Sequence, residues 1–267
     1  MKAEQRQFVE GLMELLAKRT PAISDGRAEV AFREHVMSKW DQLVWRLAGV
    51  AAWEARQMDA GQLAQLRVLE DHPSLLHPLG KTHDELAHTT ILAWLLADSS
   101  PLGVAAREAL VRLIGVDVPL DDWRVTPERV LSNGRRVDLE IDVPGKWLCY
   151  IEAKVDAEEG TNQLPDYAAS LSVTGAGRDH PPTLVYLTVE GRKGRSGAQP
   201  ITFRDLLIAW LPIAASFTGD RATYLSCWLV TLAEDLYEVS MPGPFHTWPF
   251  ATQRRSLDLM RDIKEAR

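Results

Sequence analysis

The sequence predicts an α/β fold in which a small mixed sheet is flanked by helices and preceded by an N-terminal helical segment. Three observations predict it. Apolar residues recur at three- and four-residue spacing as far as Ile114, strict period-two alternation sets in at Val137, and helix and strand patterns then take turns along the chain.

Residues 1–80 are expected to be helical until a closing loop. Phe32, Val36, Trp40, Val44, Leu47 and Val50 follow helical spacing, with breaks at Pro21, at Ser24-Asp25-Gly26 and at Asp59-Ala60-Gly61. Asp71-His72-Pro73 to Pro78-Leu79-Gly80 is a loop, and the boundary with a second unit, residues 81–267, is placed there. A helix capped by Thr82 or Asp84 carries Leu86, Ile91, Leu92, Trp94, Leu95 and Leu96 and ends near Asp98-Ser99-Ser100-Pro101; another runs from about Val104 to Ile114.

Val137, Leu139, Ile141 and Val143 alternate with Asp138, Glu140 and Asp142. After the Pro144-Gly145 turn, Trp147 to Val155 makes the second arm of a hairpin. Asn162 is expected to cap the next helix, with Pro165 in its first turn. Thr183 to Val189 is a buried strand, Gly191 to Gly197 a basic loop, and Phe203–Ser216 and Ala222–Tyr237 are helices.

A hydrophobic fraction of 46% with 25% charged residues excludes a disordered chain, and no apolar run approaches the roughly 20 residues of a membrane span. Met1 to Gln7 has no apolar stretch behind its basic residue, which speaks against a secretory signal. Two cysteines, Cys149 and Cys227, are too few for a disulfide framework, so a reducing cytoplasm is expected. The net charge of −7 counts against a nucleic-acid partner unless basic side chains gather near the site; Arg135, Arg136, Arg192, Lys193 and Arg195 are the candidates.

The chemistry centres on Glu152-Ala153-Lys154, the one Glu-x-Lys of the chain. Period-two geometry points its two charges to the same side of a strand that is otherwise apolar. Whether Asp138 joins them depends on the hairpin loop. A strict two-residue loop, Pro144-Gly145, sets Asp138 opposite Ile151 and puts the two carboxylates on opposite faces. A three-residue loop, Pro144 to Lys146, or a bulge in either strand, sets Asp138 opposite Glu152. The chemistry requires the second arrangement. Two converging carboxylates would hold Mg²⁺ or Mn²⁺, and Lys154 would orient the attacking water or meet the charge developing on phosphorus.

The stretch Gly134-Arg135-Arg136-Val137-Asp138 through Ile151-Glu152-Ala153-Lys154 to Gln163-Leu164-Pro165-Asp166-Tyr167 resembles the PD-(D/E)XK nuclease superfamily, including the Gln-x-x-x-Tyr signature of its RecB-like members. Glu85-Leu86-Ala87-His88-Thr89 before Leu92-Ala93-Trp94-Leu95-Leu96 resembles the opening helix of one bacterial subgroup. Residues 82 to about 210 carry the likeness, with Val137 in place of the proline of the family's name.

The resemblance implies a restriction-endonuclease-like core and a Mg²⁺- or Mn²⁺-dependent nuclease, acting on DNA rather than RNA, in bacterial defence or genome maintenance. It implies Asp138 and Glu152 as metal ligands, Lys154 as the catalytic lysine and Glu85 as a supporting acid. Gln163, Tyr167, His88 and Arg136 would contact substrate or brace the site, and His88 suits a structural role equally. The N-terminal helices would serve a protein partner or a second copy of the chain. The rival expectations are an interaction protein that keeps the nuclease fold without activity, and an RNase with the same site.

Overall fold

The computed structural model describes residues 39, 42–43, 46–240 and 250–266. The expected breaks at Pro21 and Ser24-Asp25-Gly26, and the helical positions Phe32, Val36, Trp40 and Val44, lie outside the described residues. Residues 46–56 are helical. Helix α1 (Ala60–Asp71) starts on a capping box, in which the Asp59 side chain accepts from Gln62 N–H while the Gln62 side chain accepts from Asp59 N–H.

Asp84, not Thr82, caps α2 (Glu85–Ala97), its carboxylate accepting from Ala87 N–H. Helix α3 (Pro101–Ile114) begins three residues earlier than expected. Ser100 caps it, and Pro101 occupies the first turn, where its missing N–H leaves nothing unsatisfied. Leu86 and Trp94 of α2 are exposed; its buried side is His88, Thr89, Leu92, Ala93, Leu95 and Leu96.

Five strands follow in spatial order β1-β2-β3-β4-β5: β1 (Arg124–Val130), β2 (Arg136–Val143), β3 (Trp147–Lys154), β4 (Thr183–Thr188) and β5 (Gln199–Thr202). The first three are antiparallel neighbours and the last three parallel ones, so the sheet is mixed. Helix α4 (Gln163–Thr174) joins β3 to β4, and α5 (Phe203–Ser216), α6 (Asp220–Thr231), a π-helical turn (Leu232–Leu236) and α7 (Phe250–Glu265) complete the chain.

Strand β3 is buried along its whole length because both sheet faces are covered. On one face Leu139, Ile141, Cys149, Ile151 and Ala153 join the main core with residues of α1, α2, α3, α5, α6 and α7. On the other, Leu148, Tyr150, Leu184 and Tyr186 pack against Leu164, Tyr167 and Leu171 of α4.

The β2–β3 register is Val143↔Trp147, Ile141↔Cys149 and Leu139↔Ile151. The loop is therefore the three-residue one, Pro144 to Lys146. Within it Lys146 N–H bonds Val143 C=O at 2.9 Å, with Pro144 and Gly145 central and Gly145 at φ +71°, a type II turn. Proline cannot take the positive φ that the tight two-residue hairpin turns need at that position, so the ladder starts one residue further on. The turn is held by Arg178, which donates to Asp142 and to the carbonyls of Val143 and Trp147.

Three expectations need correction. Asn162 does not cap α4 with its side chain: it sits in the left-handed region at φ +56°, which asparagine tolerates better than most residues. The alternation of β2 fails at Val137, which packs with the α4 cluster although Leu139 lies in the main core. The stretch expected as one helix from Ala222 to Tyr237 is α6 from Asp220 followed by the π-helical turn.

Candidate active site

Four elements place the candidate residues. Strand β2 supplies Asp138, β3 supplies Glu152 and Lys154, the start of α2 supplies Glu85, and the first turns of α4 supply Gln163 and Tyr167. The β2–β3 ladder ends at Leu139↔Ile151, and the next inward donor of β3, Ala153 N–H, is taken by the Asp138 carboxylate at 2.9 Å. A side chain thus replaces a ladder bond. The two strands part there, which is where the alternation of β2 breaks.

Glu152 is fully buried and Lys154 9% exposed, so their charges need partners. Lys154 Nζ donates to Glu152 Oε1 at 2.5 Å, to Ala153 C=O at 3.1 Å and to Glu85 Oε2 at 3.4 Å. Glu85 Oε1 accepts from Val155 N–H at 3.1 Å, fastening the start of α2 to the end of β3. Gln163 Nε2 donates to the same Glu152 Oε1 at 2.5 Å and to the Tyr167 hydroxyl at 3.0 Å. The Tyr167 hydroxyl in turn donates to Arg136 C=O. Lys154 and Gln163 thus both hold Oε1 of Glu152; the other oxygen, Oε2, is buried with no hydrogen-bond partner.

The electrostatics follow from that enclosure. Burial, then the neighbouring Asp138 charge, pushes Glu152 up to about 7 despite Lys154. Asp138 is also raised, by burial first and with Glu85 and Glu128 adding to it, while Ala153 N–H and Lys154 pull the other way. For Lys154 burial opposes the charge, but Glu152, Asp138 and Glu85 together outweigh burial and hold the ammonium above its ordinary value. Burial pushes the Tyr167 phenol up to about 12. Both carboxylates are thus more basic than usual even with Lys154 beside them.

His88 stands apart from this group. Its ring is wholly buried, with Nε2 at 2.8 Å from Thr82 C=O and Nδ1 accepting from Trp228 Nε1–H at 3.1 Å, which assigns the proton to Nε2. Burial lowers its pKa, so the ring is neutral and joins the start of α2 to α6. The side chain of Arg136 pairs with Glu128 at 2.8 Å, and only its carbonyl reaches the Tyr167 hydroxyl.

Two acids that sequence reasoning passed over lie close by. Glu128, which falls between the β1–β2 pairs Pro127↔Leu139 and Arg129↔Val137, adopts φ +54° and helps to raise the pKa of Asp138. The only hint of it was an acidic residue after Pro127, which itself disguised β1. Glu159, on the loop after β3, has a buried, unpartnered Oε1, and nothing in the local pattern marked it.

Among the described residues no three Asp, Glu, His or Cys side chains are grouped closely enough to cage a metal unaided. None of their helices is singly long and apolar enough to cross a membrane. Comparison with curated proteins and with solved structures finds no significant match. Comparison with family models matches residues 75–231, which contain all eight candidate positions. On that match, over more than half of its length, the chain belongs to the PD-(D/E)XK nuclease superfamily.

Proposed function

We propose that the protein is a Mg²⁺- or Mn²⁺-dependent nuclease that hydrolyses phosphodiester bonds in DNA. The observation that carries this reading is the pairing of half-buried Asp138 with fully buried Glu152 beside Lys154, with Glu152 Oε2 unpartnered. Nucleases of this superfamily generally use divalent metals. Oxygen donors with places left for water and substrate oxygens suit a small hard cation, and Asp138 and Glu152 would hold it. When bound, it polarises the scissile phosphate and acidifies water.

The chain's own groups supply the rest. Lys154 presents an ammonium beside the carboxylates, where it orients the attacking water and meets the negative charge growing on the phosphate oxygens. Gln163 fixes the rotamer of Glu152 so that Oε2 faces inward, and Tyr167 fixes Gln163. Glu85 holds Lys154 from the far side and ties it to the backbone after β3. Free, buried Cys149 and Cys227 suit a cytoplasmic location, and the resemblance suggests bacterial defence or genome maintenance. The N-terminal segment enters this proposal as one that gates substrate or recruits a partner.

The test is incubation of plasmid, single-stranded DNA and RNA with the protein in Mg²⁺ or Mn²⁺, beside Asp138→Ala and Lys154→Ala. DNA cleavage lost in both variants is expected. Cleavage of RNA alone makes it an RNase, and inertness together with absent metal binding makes it an interaction protein with a nuclease fold.

A further inference from the structure

The basic loop between β4 and β5 is fixed over the candidate active site. Thr188, the last residue of β4, is the register partner of Lys154, so the loop leaves the sheet beside the catalytic lysine. It then turns back: a Cβ built on Gly194 would come within 2.7 Å of Leu164 Cδ1, 2.9 Å of Ala198 Cβ and 3.1 Å of Tyr186 Cδ1. Tyr186 is the register partner of Glu152, and Leu164 follows Gln163 in α4. The middle of the loop therefore lies on the sheet face that carries Glu152 and Lys154.

The loop is shaped rather than loose. Arg192 N–H bonds Thr188 Oγ1 at 3.1 Å, and Ala198 N–H bonds Arg195 C=O at 3.2 Å across Ser196 and Gly197, both at positive φ. It keeps its charges outward: Arg192, Lys193 and Arg195 are exposed. Arg192 is shared with Glu190 at 3.2 Å, whereas Lys193 and Arg195 have no acidic partner among the described residues. By contrast Arg135 and Arg136, the other basic candidates, are engaged by Asp166 and Glu128. On the Tyr186 phenol, which burial and then Glu159 raise, Lys154 and Arg192 act together in the opposite direction. In a chain of net charge −7, these uncommitted cations stand on a loop whose middle packs against Tyr186, the strand neighbour of Glu152.

We propose that the Gly191–Gly197 loop is the phosphate-binding element for the nucleic-acid backbone, with Arg192, Lys193 and Arg195 engaging phosphates that flank the scissile one. This rests on the nuclease reading above. Contacts of this kind carry no base preference, and each gives binding a share of its salt dependence.

The experiment measures binding of the full chain to fluorescent DNA and RNA oligonucleotides by anisotropy in EDTA, where cleavage is blocked, across a series of salt concentrations. Wild type is set beside the triple variant Arg192→Ala/Lys193→Ala/Arg195→Ala and beside Lys146→Ala, a charge removed at the opposite end of β3. The triple variant is expected to bind roughly tenfold more weakly near 0.1 M salt, with the slope of log affinity against log salt shallower by about 2–3, and Lys146→Ala to match wild type. Unchanged thermal melting of the triple variant shows that the loss is one of contacts. Equal affinity and slope in wild type and triple variant overturn the loop's role and leave the nuclease reading standing. A wild-type protein that neither binds nor cuts nucleic acid overturns both.

Discussion

Asp138 accepts the main-chain N–H of Ala153 at 2.9 Å, so one strand's carboxylate stands where the next strand's ladder bond would be. The same bond that positions the acid forks the sheet. Asp138→Ala is expected to cost at least about a hundredfold in cleavage rate, comparable to or beyond what is lost when metal-supporting groups are removed. Asp138→Asn keeps an acceptor for Ala153 N–H. Circular dichroism of Asp138→Asn should match wild type while cleavage stays low; equal activity of the two would remove Asp138 from the reaction.

Glu152 is expected to make stability in EDTA depend on pH. Its folded-state value, about 7, lies above the ordinary 4.5, so folding takes up a proton. That contribution is fully present below about 4.5 and is lost as pH rises through about 7. The difference in melting temperature between wild type and Glu152→Gln, measured in EDTA, should therefore move against wild type across that window. Saturating Mg²⁺ should shrink the effect. A difference that stays flat would mean that Glu152 is solvated.

Lys154 and Glu85 should separate kinetically. Lys154→Ala removes a charge at the proposed reaction centre, and kcat is expected to fall by about two orders of magnitude or more. Glu85→Gln leaves an acceptor for Val155 N–H and Lys154, and should cost less than tenfold. Single-turnover rates at saturating substrate distinguish the two, and equal losses would give Glu85 a direct role.

Tyr167→Phe tests the brace behind Glu152. It leaves the Arg136 carbonyl and the Gln163 amide each short of a partner, for a destabilisation of about 1–3 kcal/mol in chemical denaturation. Activity should fall further than stability alone explains, because the Glu152 rotamer loses its support through Gln163.

His88→Leu is expected to unfold at lower denaturant concentration, since the Thr82 carbonyl and the Trp228 N–H lose a buried partner. If His88 is structural, the variant's residual activity below its melting transition keeps the wild-type pH profile. A shifted profile would make the ring a participant.

The legible parts of this fold are those where one pattern dominates. Val137 to Val155 is a hairpin on any reading, and Glu152-x-Lys154 shares a face by geometry alone. Strand β1 was hidden because Pro127 and the left-handed Glu128 interrupt its alternation, which an edge strand tolerates. Strand β5 has four residues, too few for a period to show. The register between Asp138 and Glu152 stood as two alternatives, although Pro144 held the deciding signal: a proline there admits a type II turn and excludes the tight hairpin. Burial of Glu152, and hence its altered basicity, depends on helices α2 and α4 meeting opposite faces of β3, which no local window contains.

The turn at Pro144 to Lys146 begins six residues from Asp138, or about 20 Å along an extended strand. Nothing in it touches the carboxylates, yet its length decides whether they meet. Lys146 pairs with Asp179 and is open to exchange for another residue. A slip that brought Val143 opposite Lys146 across Pro144-Gly145 would instead turn Asp138 and Glu152 to opposite faces of the sheet. Where the ladder begins, which the proline sets, thus governs a meeting of side chains that the proline never touches.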